Sequence, residues 1–94
     1  MMLNTLKLTL NGVEVGVLIN PRVPDKGSIR ADRVDFRMDR FPCFSDLLHG
    51  LVKLQLEADP PFAVHLAGYG DAELRDNGDC MICLFPWLER VQGV

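Results

Sequence analysis

Residues 45–59 (SDLLHGLVKLQLEAD) constrain the fold more than any other stretch, because they carry both the apolar spacing and the boundaries of a helix. Leu47, Leu51, Leu54 and Ala58 recur at helical spacing, and Leu48, Val52 and Leu56 form a second stripe beside them. Ser45 can serve as N-cap, its hydroxyl accepting a free amide proton of the first turn. Pro42 before the stretch and Pro60-Pro61 after it bound the segment, since proline cannot continue a hydrogen-bonded helix. The spacing predicts one helix over 45–59, with the rest of the chain built as strands around it.

Those strands are read from period-two alternation and turn chemistry. Leu6, Leu8 and Leu10 alternate with Lys7 and Thr9, then Asn11-Gly12 intervenes, then Val13, Val15 and Val17 alternate with Glu14 and Gly16. Asn-Gly between alternating runs is the favoured two-residue hairpin turn, because both turn positions need positive φ. The hairpin expected over residues 3–20 pairs Leu10 with Val13, Leu8 with Val15 and Leu6 with Val17. Residues 20–28 (NPRVPDKGS) read as a loop. A strand is expected over 33–38, with Val34, Phe36 and Met38 on one face. Ile29 and Ala31 are out of phase with it, which places a bend near Asp32. Residues 62–67 read as a further strand, and 72–85 as a second hairpin about Asn77-Gly78 that pairs Arg75 with Cys80, Leu74 with Met81 and Ala72 with Cys83. In that hairpin Leu74, Met81, Cys83 and Phe85 take the core face and Cys80, Ile82 and Leu84 the other. The tail (PWLERVQGV) is given one helical turn from Pro86. The assembled expectation is a single α+β domain over 1–94, in ββ-β-α-β-ββ order: a mostly antiparallel sheet of five to six strands with one helix packed on one face.

Composition bears on class rather than on activity. A chain of 94 residues, 48% hydrophobic and 24% charged, can bury a core without staples. A net charge of −3 argues against a dedicated nucleic-acid binder. Three cysteines cannot all pair within one chain, and the N-terminal MMLNTLKL is not a secretion signal, so a reducing cytoplasm is the expected setting. No window reaches the eighteen or so apolar residues of a membrane span.

Each candidate chemistry has a plainer explanation. Cys80-x-x-Cys83 lies in a run that reads as a strand, where positions three apart face opposite sides and cannot meet one metal ion. His49 shares a polar stripe with Lys53 and Glu57, and His65 alternates with Val64 and Leu66, so both read as solvated or locally satisfied. The carboxylates Asp71, Glu73, Asp76 and Asp79 surround a hairpin turn, and the twelve-residue calcium-loop pattern is missing. No cofactor and no metal site is expected. Arg22, Lys26, Arg30, Arg33, Arg37 and Arg40 concentrate positive charge, but Asp25, Asp32, Asp35 and Asp39 interleave with it, as on a solvated strand face.

The remaining anomaly is surplus apolar surface. The hydrophobic arc of the expected helix is nearly twice what one sheet face covers. Ile82 and Leu84 on the second face of the last strand, with Trp87 beyond, add to it, and soluble monomers seldom tolerate such a patch. The first functional expectation is therefore a non-catalytic interaction module, homodimeric or binding another protein through Val52, Leu56, Ile82, Leu84 and Trp87. The second is a small-molecule-binding protein or modest enzyme, with Cys43, His49, His65 and Tyr69 at the mouth of a pocket between helix and sheet. The third is nucleic-acid binding by the arginine-rich strand 30–40.

Overall fold

In the computed structural model, residues 4–91 are described, and nine strands carry them: β1 (Thr5–Leu10), β2 (Val13–Ile19), β3 (Ile29–Arg30), β4 (Arg33–Arg37), β5 (Leu54–Leu56), β6 (Phe62–Gly68), β7 (Asp71–Arg75), β8 (Cys80–Leu84) and β9 (Trp87–Arg90). One five-residue helix, α1 (Phe44–Leu48), and two short 3₁₀ turns complete the elements. Every strand pairing is antiparallel, in the order β3-β9-β6-β5-β1-β2-β4-β8-β7. The expected α+β domain, a sheet of five to six strands under one long helix, is thus corrected to an antiparallel β fold of nine strands with a single short helix.

The correction turns on Gly50. His49 caps α1, the Gly50 N–H donates to the Leu47 carbonyl (3.2 Å), and the Leu51 N–H donates to the Asp46 carbonyl (2.9 Å). These two bonds define a Schellman end, which needs a residue at positive φ just past the cap, and Gly50 has φ +74°. Beyond it, Val52, Leu54 and Leu56 alternate with Lys53, Gln55 and Glu57. That period-two pattern is the one the chain follows: Leu8 pairs with Leu56, and Leu54 with Val64. Leu54 and Leu56 are fully buried between β1 and β6.

The two ends of the strand order are joined through the chain itself. β3 runs into β4 and β8 runs into β9, and the same register links both halves: Ile29↔Leu88, Arg30↔Trp87, Arg33↔Leu84, Arg37↔Cys80. These are two long kinked strands, bent at Ala31-Asp32 and Phe85-Pro86. Backbone bonds from the Phe85 N–H to the Asp32 carbonyl (3.0 Å) and from the Ala31 N–H to the Pro86 carbonyl (3.4 Å) hold the bend. With β2 on one flank and β6 on the other, the strands close into a ring: β1, β2, β3–β4, β8–β9, β6, β5 and back to β1. Closure spares the ring strands the long unpaired edges of an open sheet and leaves β7 outside the ring.

The interior of the ring is filled. Leu8, Val15, Leu18, Ile29, Val34, Phe36, Leu66, Cys83 and Leu88 are all buried there with Leu54, Leu56 and Val64. At one end Phe36, Phe41 and Phe44 meet edge to face, with ring centroids 5.4–6.3 Å apart. Leu47 of α1 seals the core beside them. Elsewhere the Arg90 guanidinium lies 4.2 Å from the Phe62 ring centroid and donates to the Pro24 carbonyl, fastening loop 20–28 to the wall.

The first hairpin forms about Asn11-Gly12, with φ +53° and +81°. Its expected register holds only to Thr9↔Glu14. A bulge then shifts the pairing to Leu8↔Gly16 and Leu6↔Leu18, so Val15 and Leu18 point inward and Val17 does not. Leu3, the first residue of that expected hairpin, lies outside the described residues. The second hairpin keeps its expected register from Ala72↔Cys83 to Arg75↔Cys80, but the Asp76–Asp79 strand pair expected across a two-residue turn is absent, since Asp76–Gly78 forms a 3₁₀ turn. The tail is strand β9 from Trp87 to Arg90 and not a helical turn; Gln92, Gly93 and Val94 fall outside the described residues.

Candidate functional site

The wall formed by β2, β4, β8 and β7 carries a cluster of charged residues on its outer face. Strand alternation sends Val34 and Phe36 inward and Arg33, Asp35 and Arg37 outward. Next to them, outward, stand Cys80, Ile82 and Leu84, and then Arg75, Glu73 and Asp71. Opposite charges neutralise one another across this face. Arg33 meets Asp35 through two contacts, Nε–Oδ1 at 2.8 Å and Nη2–Oδ2 at 3.1 Å. Arg37 lies 3.6 Å from Asp39, and Arg75 lies 3.5 Å from Glu73. A hollow of about 430 Å³ opens beside them, lined by Glu14, Val17, Asp35, Arg37, Arg40 and Cys80. Its two carboxylates and two guanidiniums leave no single sign of charge to attract a ligand.

Two further arginines of the basic concentration are similarly occupied. Arg22 pairs with Asp32 at 3.1 Å, and Arg30 lies over the Trp87 ring at 5.9 Å. The Asn20 amide and then the Arg22 guanidinium, both hydrogen-bonded to Asp32, hold its carboxyl below the usual value.

Among the described residues, no hydrogen bond links the four residues expected at a pocket mouth. Cys43 is exposed just before α1, its Sγ 3.2 Å from the Ser45 hydroxyl, and His49 is exposed at the other end of that helix. His65 is half-buried on β6, against Gly50, with Nδ1 3.4 Å from the Leu66 carbonyl. Tyr69 is half-buried in the turn after β6. The hydrogen bonds of Cys43 and His65 run to neighbours in sequence, and neither joins two of the four.

Cys80 and Cys83 fall on opposite faces of β8. Burial, with help from the Asp35 charge, pushes the Cys83 thiol up to about 11. Burial also raises Cys80, again with Asp35 as the next cause. Raised thiols are poor nucleophiles and poor metal ligands at neutral pH. Among the described residues no group of three His, Cys, Asp or Glu side chains is placed to hold a metal ion, and no helix is long and apolar enough to cross a membrane.

Of the five residues expected at an interface, Leu56 lies in the core and Ile82 is buried at 6% exposure. Val52 is half-buried. Trp87 is half-buried too, its ring laid against the backbone of Gly68. Leu84 alone presents much free surface, at 37%. Leu74 and Phe85, both expected in the core, are instead 56% and 66% exposed. The hairpin register that assigned Leu74 its face was right, but β7 stands outside the ring, so that face has little to cover it. Phe85 sits at the bend between β8 and β9 with φ +51°, where strand alternation breaks.

β7 has β8 as its one strand neighbour among the described residues. β3, at the other end of the strand order, is covered on its second side by the Arg22–Arg30 bridge. Among the described residues, the second side of β7 is thus a free strand edge. Comparison with protein-family models, curated proteins and solved structures finds no match.

Proposed function

We propose that this chain is a small non-catalytic interaction module that associates with a second copy of itself along the β7–β8 flank, in a reducing cytoplasmic setting. The open edge of β7 carries the reading. An unpaired edge strand is a template for another strand, and solitary edges resist this with brevity, charge, proline or a bulge. β7 (DAELR) is short and carries three charges, but they are of both signs, it has no proline, lysine or bulge, and it offers an exposed leucine. Three of the six exposed large hydrophobic side chains among the described residues, Leu74, Leu84 and Phe85, belong to this flank. The reducing setting is supported by three free cysteines, one buried in the core.

The small-molecule reading has less support, because the ring interior is filled and no hydrogen bond among the described residues links Cys43, His49, His65 and Tyr69. Arg22, Arg33, Arg37 and Arg40 each have an aspartate partner, which leaves the nucleic-acid reading little unopposed charge. Light scattering or sedimentation across micromolar to millimolar concentration tests the proposal. A mass that rises from one chain to two supports it, and a constant single-chain mass refutes it.

A further inference from the structure

We infer that the second copy pairs β7 against β7, antiparallel and in one register, with Leu74 opposite Leu74 and Glu73 opposite Arg75 of the second copy. The inference rests on the self-association proposed above and adds the pairing that specifies it. In a continuous antiparallel sheet, residues directly opposite share a face, so a two-fold pairing must centre on one residue of the strand. Outward-facing Asp71, Glu73 and Arg75 then decide among the centres. Centring on Ala72 sets Asp71 against Glu73 twice. Centring on Glu73 sets that carboxylate against itself, and centring on Arg75 opposes two guanidiniums. Centring on Leu74 alone sets opposite charges against each other twice and like charges nowhere.

That register also suits the other face, where two exposed leucines meet and cover each other. Like charges directly opposite destabilise a sheet, whereas opposite charges and apolar pairs stabilise it. Glu73 and Arg75 already lie 3.5 Å apart within one chain, with side chains 63% and 54% exposed. In the pair, the four charges would alternate around a square, each carboxylate between two guanidiniums. The edge amides agree with this placement. The Ala72 N–H donates to the Asp71 carboxylate at 2.9 Å, which blunts the start of the strand. Alternate residues of a strand turn their backbone to opposite edges, so the Glu73 and Arg75 amides face β8 and that of Leu74 faces the free side, where among the described hydrogen bonds no side chain caps it. The register centres on that open amide.

Charge reversal in two separate chains tests the pairing. Glu73→Arg alone and Arg75→Glu alone each turn two attractions into two repulsions, and each weakens self-association by roughly tenfold or more. An equimolar mixture of the two variants restores the dimer as a mixed pair, because every cross-strand contact is again between opposite charges. A purely intrachain role for the Glu73–Arg75 pair cannot be rescued in trans. Sedimentation of wild type, each variant and the mixture reads the result, with thermal melts showing that each variant folds. A wild type that dimerises while both variants dimerise equally well, or a mixture that fails to recover, overturns the register and leaves self-association standing. A wild type that stays a single chain overturns both.

Discussion

Gly68 and Trp87 offer a sharp test of how the ring closes between β6 and β9. The register slips there, so that Leu66 faces Leu88 and Gly68 faces Trp87. The indole lies flat on the glycine, with the Arg30 guanidinium 5.9 Å from its centroid. A Cβ on Gly68 would stand 2.3 Å from Trp87 Cζ2 and 2.5 Å from Cη2. Carbon atoms in contact sit about 3.5–4.0 Å apart, so the methyl overlaps the ring by more than an ångström. Overpacking of this kind costs about 1–3 kcal/mol. Against it, a glycine-to-alanine change at an ordinary φ stabilises by about 0.4–1 kcal/mol through the unfolded chain. The clash wins, and Gly68→Ala should destabilise by about 1–2 kcal/mol, lowering the Tm by roughly 5–15 °C. Thermal and urea unfolding by circular dichroism measure this directly. Trp87→Leu supplies the control: with the indole gone, Gly68→Ala should become neutral or slightly stabilising. The same loss in both backgrounds, or no loss in the wild type, would refute the packing.

Three further outcomes follow from single positions. Gly50→Ala should cost about 1–2 kcal/mol in urea unfolding, because φ is +74° and a Cβ would meet His65 Nδ1 and the Leu66 carbonyl at 3.2 Å; an unchanged midpoint would contradict the Schellman end. Cys83, with its thiol raised to about 11, should stay unmodified by a thiol reagent at pH 8 while exposed Cys43 reacts. Because its folded value lies above the ordinary 9.0, its contribution to stability is complete below about pH 9 and is lost as pH rises from there to about 11; Cys83→Ala should flatten that alkaline decline, and a Cys83 that labels as fast as Cys43 would disprove its burial. Phe85 holds φ +51° with 66% of its surface exposed, so Phe85→Gly relieves backbone strain and loses little packing, and thermal melts should show stability unchanged or raised by up to about 1 kcal/mol.

What the sequence made legible was local. Asn11-Gly12 and Asn77-Gly78 announced both hairpins, and the alternation of 71–84 carried the register of the second one intact. The out-of-phase Ile29 and Ala31 pointed to the kink at Ala31-Asp32. The first hairpin slipped because a bulge adds a residue without any change of composition, so Val15 and Gly16 both turn inward. The long helix was misread because residues 51–57 satisfy two periods at once, and the αL conformation of Gly50 is settled by its contacts, not by spacing. The sites suffered most from long-range closure. Leu56 and Ile82 look like spare apolar surface only while the chain is an open sheet beneath a rod. Leu74 looks buried only until β7 is seen to lie beyond the ring, and Phe85 only until its φ of +51° breaks the alternation at the bend.

The closure itself is best tested by cross-strand proton contacts in a backbone-assigned NMR spectrum. The ring predicts Hα–Hα or amide contacts linking Leu56 to Leu8 on one side and Ile29 to Leu88 on the other, within the same species that shows Val34 beside Cys83. Successive i to i+3 contacts running through residues 51–57, with no cross-peak from Leu56 to Leu8, would mean a helix in place of β5 and an open sheet in place of the ring.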